Sequence, residues 1–499
     1  DVESLKHGFR AWPDSIPRGP RGNETEDLPA GSGEKRGTEK VTTVEYDTHI
    51  KGGVLVNSKE MRLADVFIKD GLVACIEKRD SGKKAKQVID ATGKYVLPGI
   101  VEAHLHPVYA DRLDTLSQSA VYGGITTLIP YIGAVKAWGV EGNLWDAVNY
   151  FIEEGSRDSV IDFALHCSLV GTDLADLEET VPKICARGVR SFKGFMAYRR
   201  RGMNLGDADL MRILSVLKAN GGLFCVHAEN GDLCDFLEDK FIEEGKTGPE
   251  YYLPSRPKIT EAEAAYRILS FAKVLDCPMY IVHISAKETL DVVETFRAMG
   301  GPPIYAETCT HYLTLTNDEM LKIGSLAKVS PPLREKVDND ALWQAVIAGK
   351  IDVIGSDTGG HMISKKEPRF GDVFKAPGGI PGQETLFTVT YDEAVNRRMV
   401  SLCRLVEVMC EKPAKIFGIF PRKGLLEPGS DADVLIFDPM KEHTIHAAEQ
   451  HVKTDYSMYE DRKVLGAPEL VMQRGEILLQ DGELKVKKGR ARFLESNPA

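Results

Sequence analysis

Between about Tyr95 and Phe420 the sequence repeats one texture: a short apolar run, a segment of helical length, then another apolar run. Eight such runs occur in series, IVEAHLH, TTLIPYI, DFALHCSLV, RSFKGFMA, LFCVHAE, MYIVHIS, IYAETCTHYL and DVIGSDT. Runs that are apolar throughout rather than alternating read as strands covered on both faces, the mark of a parallel sheet with crossover helices. Several intervening segments carry the helical period: LWDAVNYFIEEG, DADLMRILSVLKANGG, TEAEAAYRILSFAKVLD and AKETLDVVETFRAMGG, the last three followed by Gly or Pro. Eight βα units in series predict an α/β fold of the (β/α)8 TIM-barrel type.

The flanks differ. Before the first run come TVEYDTHIKGG, GVLVNSKE, ADVFIKDGLVACIEK and KQVIDATGKYV, and after the last come GLLEPGSDADVLIFDP and ELVMQRGEILLQDGEL. Apolar and polar residues alternate in these segments, with Gly-rich turns between them, so both ends read as antiparallel strands that build one small β-sandwich domain together. The first stretch, rich in Gly, Pro and charge, has no period of either kind. The expected organisation is a flexible arm over 1–40, sandwich strands over 41–94, the barrel over 95–420, further sandwich strands over 421–480 and a tail over 481–499.

Composition narrows the function. With 43% hydrophobic and 27% charged residues, the 499-residue chain can bury a large core. A net charge of −11 excludes a generic nucleic-acid binder, whose footprint would be basic. No apolar run approaches the ~20 residues of a membrane span, and no segment has the order of a signal peptide. The nine cysteines form no CxxC pair and suggest neither a disulfide framework nor a zinc ribbon. A reducing, cytoplasmic setting is expected, with neither nucleic acid nor membrane as partner.

In a barrel of this type the chemistry sits at the C-terminal ends of the strands. Here those ends carry His104 and His106 (first run), Lys193 (fourth), His227 (fifth), His283 (sixth) and Asp357 (eighth). Strand alternation points His104 and His106 to one side, and Pro107 stops the strand. The chain has only 12 histidines, yet four of them fall on the tips of three strands while an aspartate closes the last. Imidazoles with a carboxylate suit Zn²⁺, Mn²⁺ or Fe²⁺, and an open position on such a metal lowers the pKa of bound water toward neutrality. Lys193 is the odd member, because an ammonium beside divalent cations is repelled. Either it points elsewhere or its neutral amine has reacted with CO₂ to give a carbamate, an anionic oxygen ligand able to bridge two metals.

Other candidates carry less. His166 and His311, in the third and seventh runs, read as core histidines, and Asp431 and Asp433 as features of a strand-opening turn. Arg199, Arg200 and Arg201 form a rim cluster, either solvated or able to attract an anionic substrate. Cys225 and Cys309 read as inert buried thiols.

The motifs PGIVEAHLHP, FKGFMAY, VHAEN, IVHIS, KVSPPLRE, GSDTGG and GSDADVLIFDP, spread over roughly residues 50–490, make the sequence resemble the amidohydrolase superfamily. Within it, the resemblance is to the cyclic amidase branch of hydantoinases and dihydropyrimidinases. That resemblance implies two divalent ions, expected to be zinc. His104, His106 and Asp357 would hold the more buried ion, His227 and His283 the more exposed one, and carboxylated Lys193 would bridge them. It implies that a bridging hydroxide attacks the ring carbonyl, that Asp357 shuttles the proton, that Tyr198 stabilises the oxyanion, and that Ser330 contacts the ring by its backbone. A small cyclic amide is the expected partner, and a homodimer or homotetramer the expected assembly.

This sequence departs from the family pattern at Thr358-Gly359-Gly360, where many hydantoinases have a His two residues after the Asp. It also departs in KAPGGIPGQET, which lacks the usual ring-binding Asn, and in the loop PVYADRLDTLSQ. Val108 stands where the similar dihydroorotases carry a carboxylate-binding Arg, so neutral rings are expected, five- or six-membered ureides or imides such as hydantoins and dihydropyrimidines. The rival readings are a silent scaffold resembling the collapsin response mediators, which have lost metal ligands; an allantoinase-like or other cyclic amide hydrolase; and a mononuclear deaminase, which has no bridging lysine.

Overall fold

Alternation near the start of the chain produces strands β1 (Tyr46–Val56), β2 (Met61–Lys69), β3 (Leu72–Glu77), β4 (Ala85–Asp90) and β5 (Tyr95–Pro98). β1 pairs antiparallel with β2, and parallel with β4 and β5. The computed structural model describes residues 45–79, 81–367 and 371–497; the arm expected over residues 1–40 lies outside them.

All eight apolar runs form strands. They are β6 (Ile100–Glu102), β7 (Ile125–Leu128), β8 (Tyr131–Ile132), β9 (Asp162–Phe163), β10 (His166–Ser168), β11 (Ser191–Phe195), β12 (Leu223–His227), β13 (Met279–Ile281), β14 (Ile304–Cys309) and β15 (Val353–Gly355). Every pairing among them is parallel, in the orders β6-β7-β9 and β8-β10-β11-β12-β13-β14-β15. The second and third runs, each read as one strand, are each broken in two. Pro130 has no N–H to give to a ladder and sits in the first break. Backbone hydrogen bonds span the breaks, from Ile129 N to Glu102 O (2.8 Å), Tyr131 N to Leu105 O (2.9 Å) and His166 N to Pro130 O (2.9 Å). On the far side Leu105 bridges Thr358 in parallel, and His106 N donates to Thr358 O at 2.8 Å.

This curled parallel sheet, flanked by helices, is an α/β arrangement of the TIM type. Helices Leu144–Asp158, Asp207–Ala219, Lys258–Leu275 and Lys287–Ala298 fall on the segments with helical period. The first is capped by Asn143, whose side chain accepts from Asp146 N at 2.9 Å. Phe192, Phe224 and Met279 on successive strands belong to the buried apolar core. Close packing there demands glycine at Gly194, where an added Cβ would lie 2.5 Å from the Phe224 ring.

The C-terminal strands β16 (Val434–Thr444), β17 (Lys463–Gln473), β18 (Glu476–Gln480) and β19 (Glu483–Leu484) pair antiparallel in succession. β5 is the seam: it runs antiparallel to β16, with Val96 opposite Ile436, while still pairing with β1, so both chain ends share one nine-stranded sheet. Ile50, Val66, Val96, Val434, Ile436 and Met472 pack into one apolar cluster drawn from both ends. All nine cysteines are free. Among the described residues no helix is long and apolar enough to cross a membrane.

Candidate active site

The ends of β6, β11, β12, β13 and β15 bring the six residues singled out by their strand positions to one place. His104 is fully buried; its Nδ1 lies 2.5 Å from Glu307 Oε1 and its Nε2 3.1 Å from Asp357 Oδ1. His106 Nε2 is 3.3 Å from the same oxygen, and the candidate ligand atoms of His104, His106 and Asp357 all lie within 4.8 Å of one another. At the end of β12, Glu229 Oε2 engages His227 Nε2 at 2.7 Å, and Arg256 holds that carboxylate at 2.9 Å. A proton on His227 Nε2 leaves Nδ1 with its lone pair exposed, 3.0 Å from His283 Nε2. The His104 and His283 rings are 5.4 Å apart, so the two groups adjoin. Lys193 is buried on β11, its Nζ 4.4 Å from the Tyr131 ring centre, and it lines a cleft of about 460 Å³ with His106, Tyr198, His227, His283 and Asp357.

These donors fit divalent cations. His104 Nε2 makes no hydrogen bond despite its closeness to Asp357, and the inward-facing nitrogens of His227 and His283 meet each other at 3.0 Å, where two imidazole lone pairs can share a cation. Burial pushes His106 down to about 4 and lowers His227 and His283, so their imidazoles are neutral at pH 7. Burial also opposes charge on His104, yet Glu307 and Asp357 on either side push it up to about 9. For Asp357 burial works the other way, and the neighbouring histidines overcome it to hold the carboxyl well below its usual range. Burial likewise lowers the Lys193 ammonium, favouring the neutral amine that CO₂ chemistry requires.

Three non-glycine residues here have left-handed backbones: Tyr198 (φ 67°), His283 (φ 40°) and Asp357 (φ 48°). Each such conformation costs of order 1–3 kcal/mol and persists where surrounding structure enforces it. Tyr198 places its hydroxyl 3.5 Å from His227 Nδ1. Ser330 lines the same cleft, its Oγ 2.6 Å from the Tyr252 hydroxyl.

Residues outside the cluster find other partners. His166 is a core residue, with Nδ1 at 2.6 Å from Ser191 Oγ and Nε2 at 3.0 Å from Ala103 O. His311 is buried against Tyr312 and does not line the cleft. Asp431 and Asp433 bind the Lys423 ammonium at 2.9 and 2.8 Å. Cys225 and Cys309 are buried thiols, the first pushed up to about 12 by burial and the second also raised by burial well above the ordinary thiol range. Val108 turns into the apolar core, whereas its neighbour Tyr109 lines the cleft.

Sequence reasoning passed over the carboxylates that orient the histidines, Glu307 and Glu229, and also Lys328 and His361 in the cleft wall. The signal was there for Glu307, an ionisable residue in the middle of the apolar run IYAETC. For His361, four residues after Asp357, spacing gave none.

The profile of the amidohydrolase family matches residues 95–478. The D-hydantoinase of Ralstonia pickettii is 36% identical over 463 residues, covering 90% of this chain and 98% of that protein. The L-hydantoinase of Paenarthrobacter aurescens is 35% identical over 457 residues, again covering 90% and 98%. Among solved structures, a D-hydantoinase (dihydropyrimidinase) from Thermus sp. superposes with a TM-score of 0.85 at 31% identity, over 90% of this chain and 99% of that one.

Proposed function

The chain belongs to the amidohydrolase family, and on that premise we propose that it is a metal-dependent hydrolase that opens the amide bond of a neutral ureide or imide ring, as hydantoinases and dihydropyrimidinases do. The observation that carries this reading is the meeting of His104, His106, His227, His283, Asp357 and a buried Lys193 around one cleft. The reading takes residues 95–420 as a closed (β/α)8 barrel, supported by the Leu105–Thr358 bridge between its first and last strands. It takes 41–94 and 421–480 as a β-sandwich and the assembly as a cytoplasmic homodimer or homotetramer.

In this reading His104, His106 and Asp357 would hold the more buried divalent cation and His227 and His283 the second, with Lys193, as a carbamate, a ligand shared by the pair. Zinc suits these donors. Bound there, the cations supply Lewis acidity and a hydroxide at neutral pH. Asp357, an anion at that pH, would take the remaining proton of the attacking oxygen once it has added to the carbonyl and pass it to the leaving ring nitrogen. Burial keeps the Tyr198 hydroxyl protonated, so it remains a donor to the carbonyl oxygen as negative charge develops there. Ser330 positions the ring amide through its backbone.

Elemental analysis of the purified protein is expected to find close to two divalent ions per chain, and a panel of cyclic ureides and imides should be opened by it. Lys193→Ala should lose metal and turnover together and regain part of both with small carboxylic acids. A metal-free protein whose activity is indifferent to chelators, or a fully active Lys193→Ala, would sink the reading.

A further inference from the structure

We propose that Arg201 and Tyr109, at the mouth of the cleft, form a subsite for a carboxylate borne on a side chain of the substrate ring, away from the scissile amide. This deepens the cyclic-amide reading and rests on it. The three consecutive arginines differ in what faces them. Arg199 pairs with Asp232, and Arg200 with Glu238 at 3.2 Å, with Asp235 at 3.9 Å and with Asp239, so both are committed to acids on this wall of the cleft. Arg201 has no carboxylate within 4 Å among the described residues. Its guanidinium lies 3.4 Å from the Tyr109 hydroxyl and 5.3 Å from the centre of the Tyr198 ring. The other cations of the cleft wall are occupied or set deep. Lys328 gives its ammonium to three backbone carbonyls, Arg256 is paired with Glu229, and Lys193 is buried among the candidate ligands.

Distance and chemistry agree on what Arg201 could take. The Tyr198 hydroxyl is 3.5 Å from His227 Nδ1, so the guanidinium stands one phenol ring away from the histidines over which the amide would sit. A neutral five- or six-membered ring placed there can send a short side chain past Tyr198 to Arg201. A planar guanidinium with free donors recognises a carboxylate in bidentate fashion. Tyr109, whose ring packs 4.7 Å from that of His361, offers its hydroxyl beside it.

The test compares hydantoin-5-acetate with hydantoin-5-acetamide, a neutral ligand of nearly the same shape. We expect kcat/KM for the acid to exceed that for the amide by about 10- to 100-fold, the usual scale of a charge-assisted contact. In Arg201→Gln the ratio should collapse to about one, while Arg199→Gln should preserve it. Equal rates with the unaltered protein, or a preference that survives Arg201→Gln, would overturn the subsite. Calorimetric binding of the same two compounds needs no turnover. If no ring of any kind is opened, the hydrolase reading fails, yet tighter binding of the acid that disappears in Arg201→Gln still upholds the subsite, and its absence overturns it.

Discussion

Glu307 joins the two halves of the candidate metal centre through one carboxylate. Its Oε1 lies 2.5 Å from His104 Nδ1 and accepts from the backbone N–H of His283 at 2.8 Å, while Oε2 accepts from the Tyr280 hydroxyl at 2.8 Å. A proton held on His104 Nδ1 leaves Nε2 free toward Asp357, and a fixed His283 backbone stabilises the left-handed turn that aims its ring. Glu307→Gln keeps the shape but loses the charge and one acceptor. Metal affinity, measured by competition with a chelator, is expected to fall by about 10- to 100-fold with the fold intact. Unchanged affinity would mean that His104 is oriented by its packing alone. The histidines proposed as ligands were legible in the sequence because strand tips follow from the apolar period. Glu307 was not weighed, because a period says which residues are buried but not which partner each one meets.

At the scale of elements, the eight apolar runs that form the parallel strands and four of the helices could be read from local patterns, since a covered parallel strand and an amphipathic helix each leave a period in the sequence. The breaks in the second and third strands could not, because they depend on how neighbouring strands curl past Pro130 and Ala164. Nor could the pairing of β5 with β16, which joins segments more than 300 residues apart. The cleft wall shows the same limit. Lys328, in the motif KVSPPLRE, donates to the carbonyls of Val373 (2.8 Å), Phe374 (3.2 Å) and Ala376 (2.7 Å), fastening a loop that also lines the cleft. Lys328→Met would leave those carbonyls without their donor, at a cost of about 1–3 kcal/mol. The expected result is faster amide exchange over 373–379 and a several-fold rise in KM with kcat little changed. Exchange and KM both equal to those of the unaltered protein would show that the loop is held by other contacts.

The whole molecule is tied together at a buried ion cluster remote from the proposed chemistry. Lys423 lies in the connection to the C-terminal strands, and its ammonium sits 2.8 Å from Asp162 on β9, 2.9 Å from Asp431 and 2.8 Å from Asp433 just ahead of β16. Arg474 also binds Asp162, and the returning chain end donates from Arg492 N to the same carboxylate at 2.9 Å. One cation thus joins the curled parallel sheet to the shared sheet. Burial opposes charge on both Lys423 and Asp162, but mutual attraction wins, raising the lysine above its ordinary 10.5 and lowering the aspartate below its ordinary 3.8. The raised lysine contributes stability that is complete below 10.5 and lost as pH rises through its folded value. The lowered aspartate contributes stability present above 3.8 and lost as pH falls through its folded value. Asp433 moves the other way, because burial raises its carboxyl above 3.8 despite Lys423, so it gives up stability as pH rises from 3.8 through its folded value, and the cluster's contribution is level only above that value and below 10.5. Lys423→Met removes the shared cation and leaves buried carboxylates facing one another, with a loss of about 3–5 kcal/mol expected at pH 7. Unpaired carboxylates take up protons more readily, so the deficit should shrink as pH is lowered from 7 toward 5, when urea unfolding of variant and unaltered protein is compared. A deficit that instead widens with acid would mean that Lys423 is not what neutralises these aspartates.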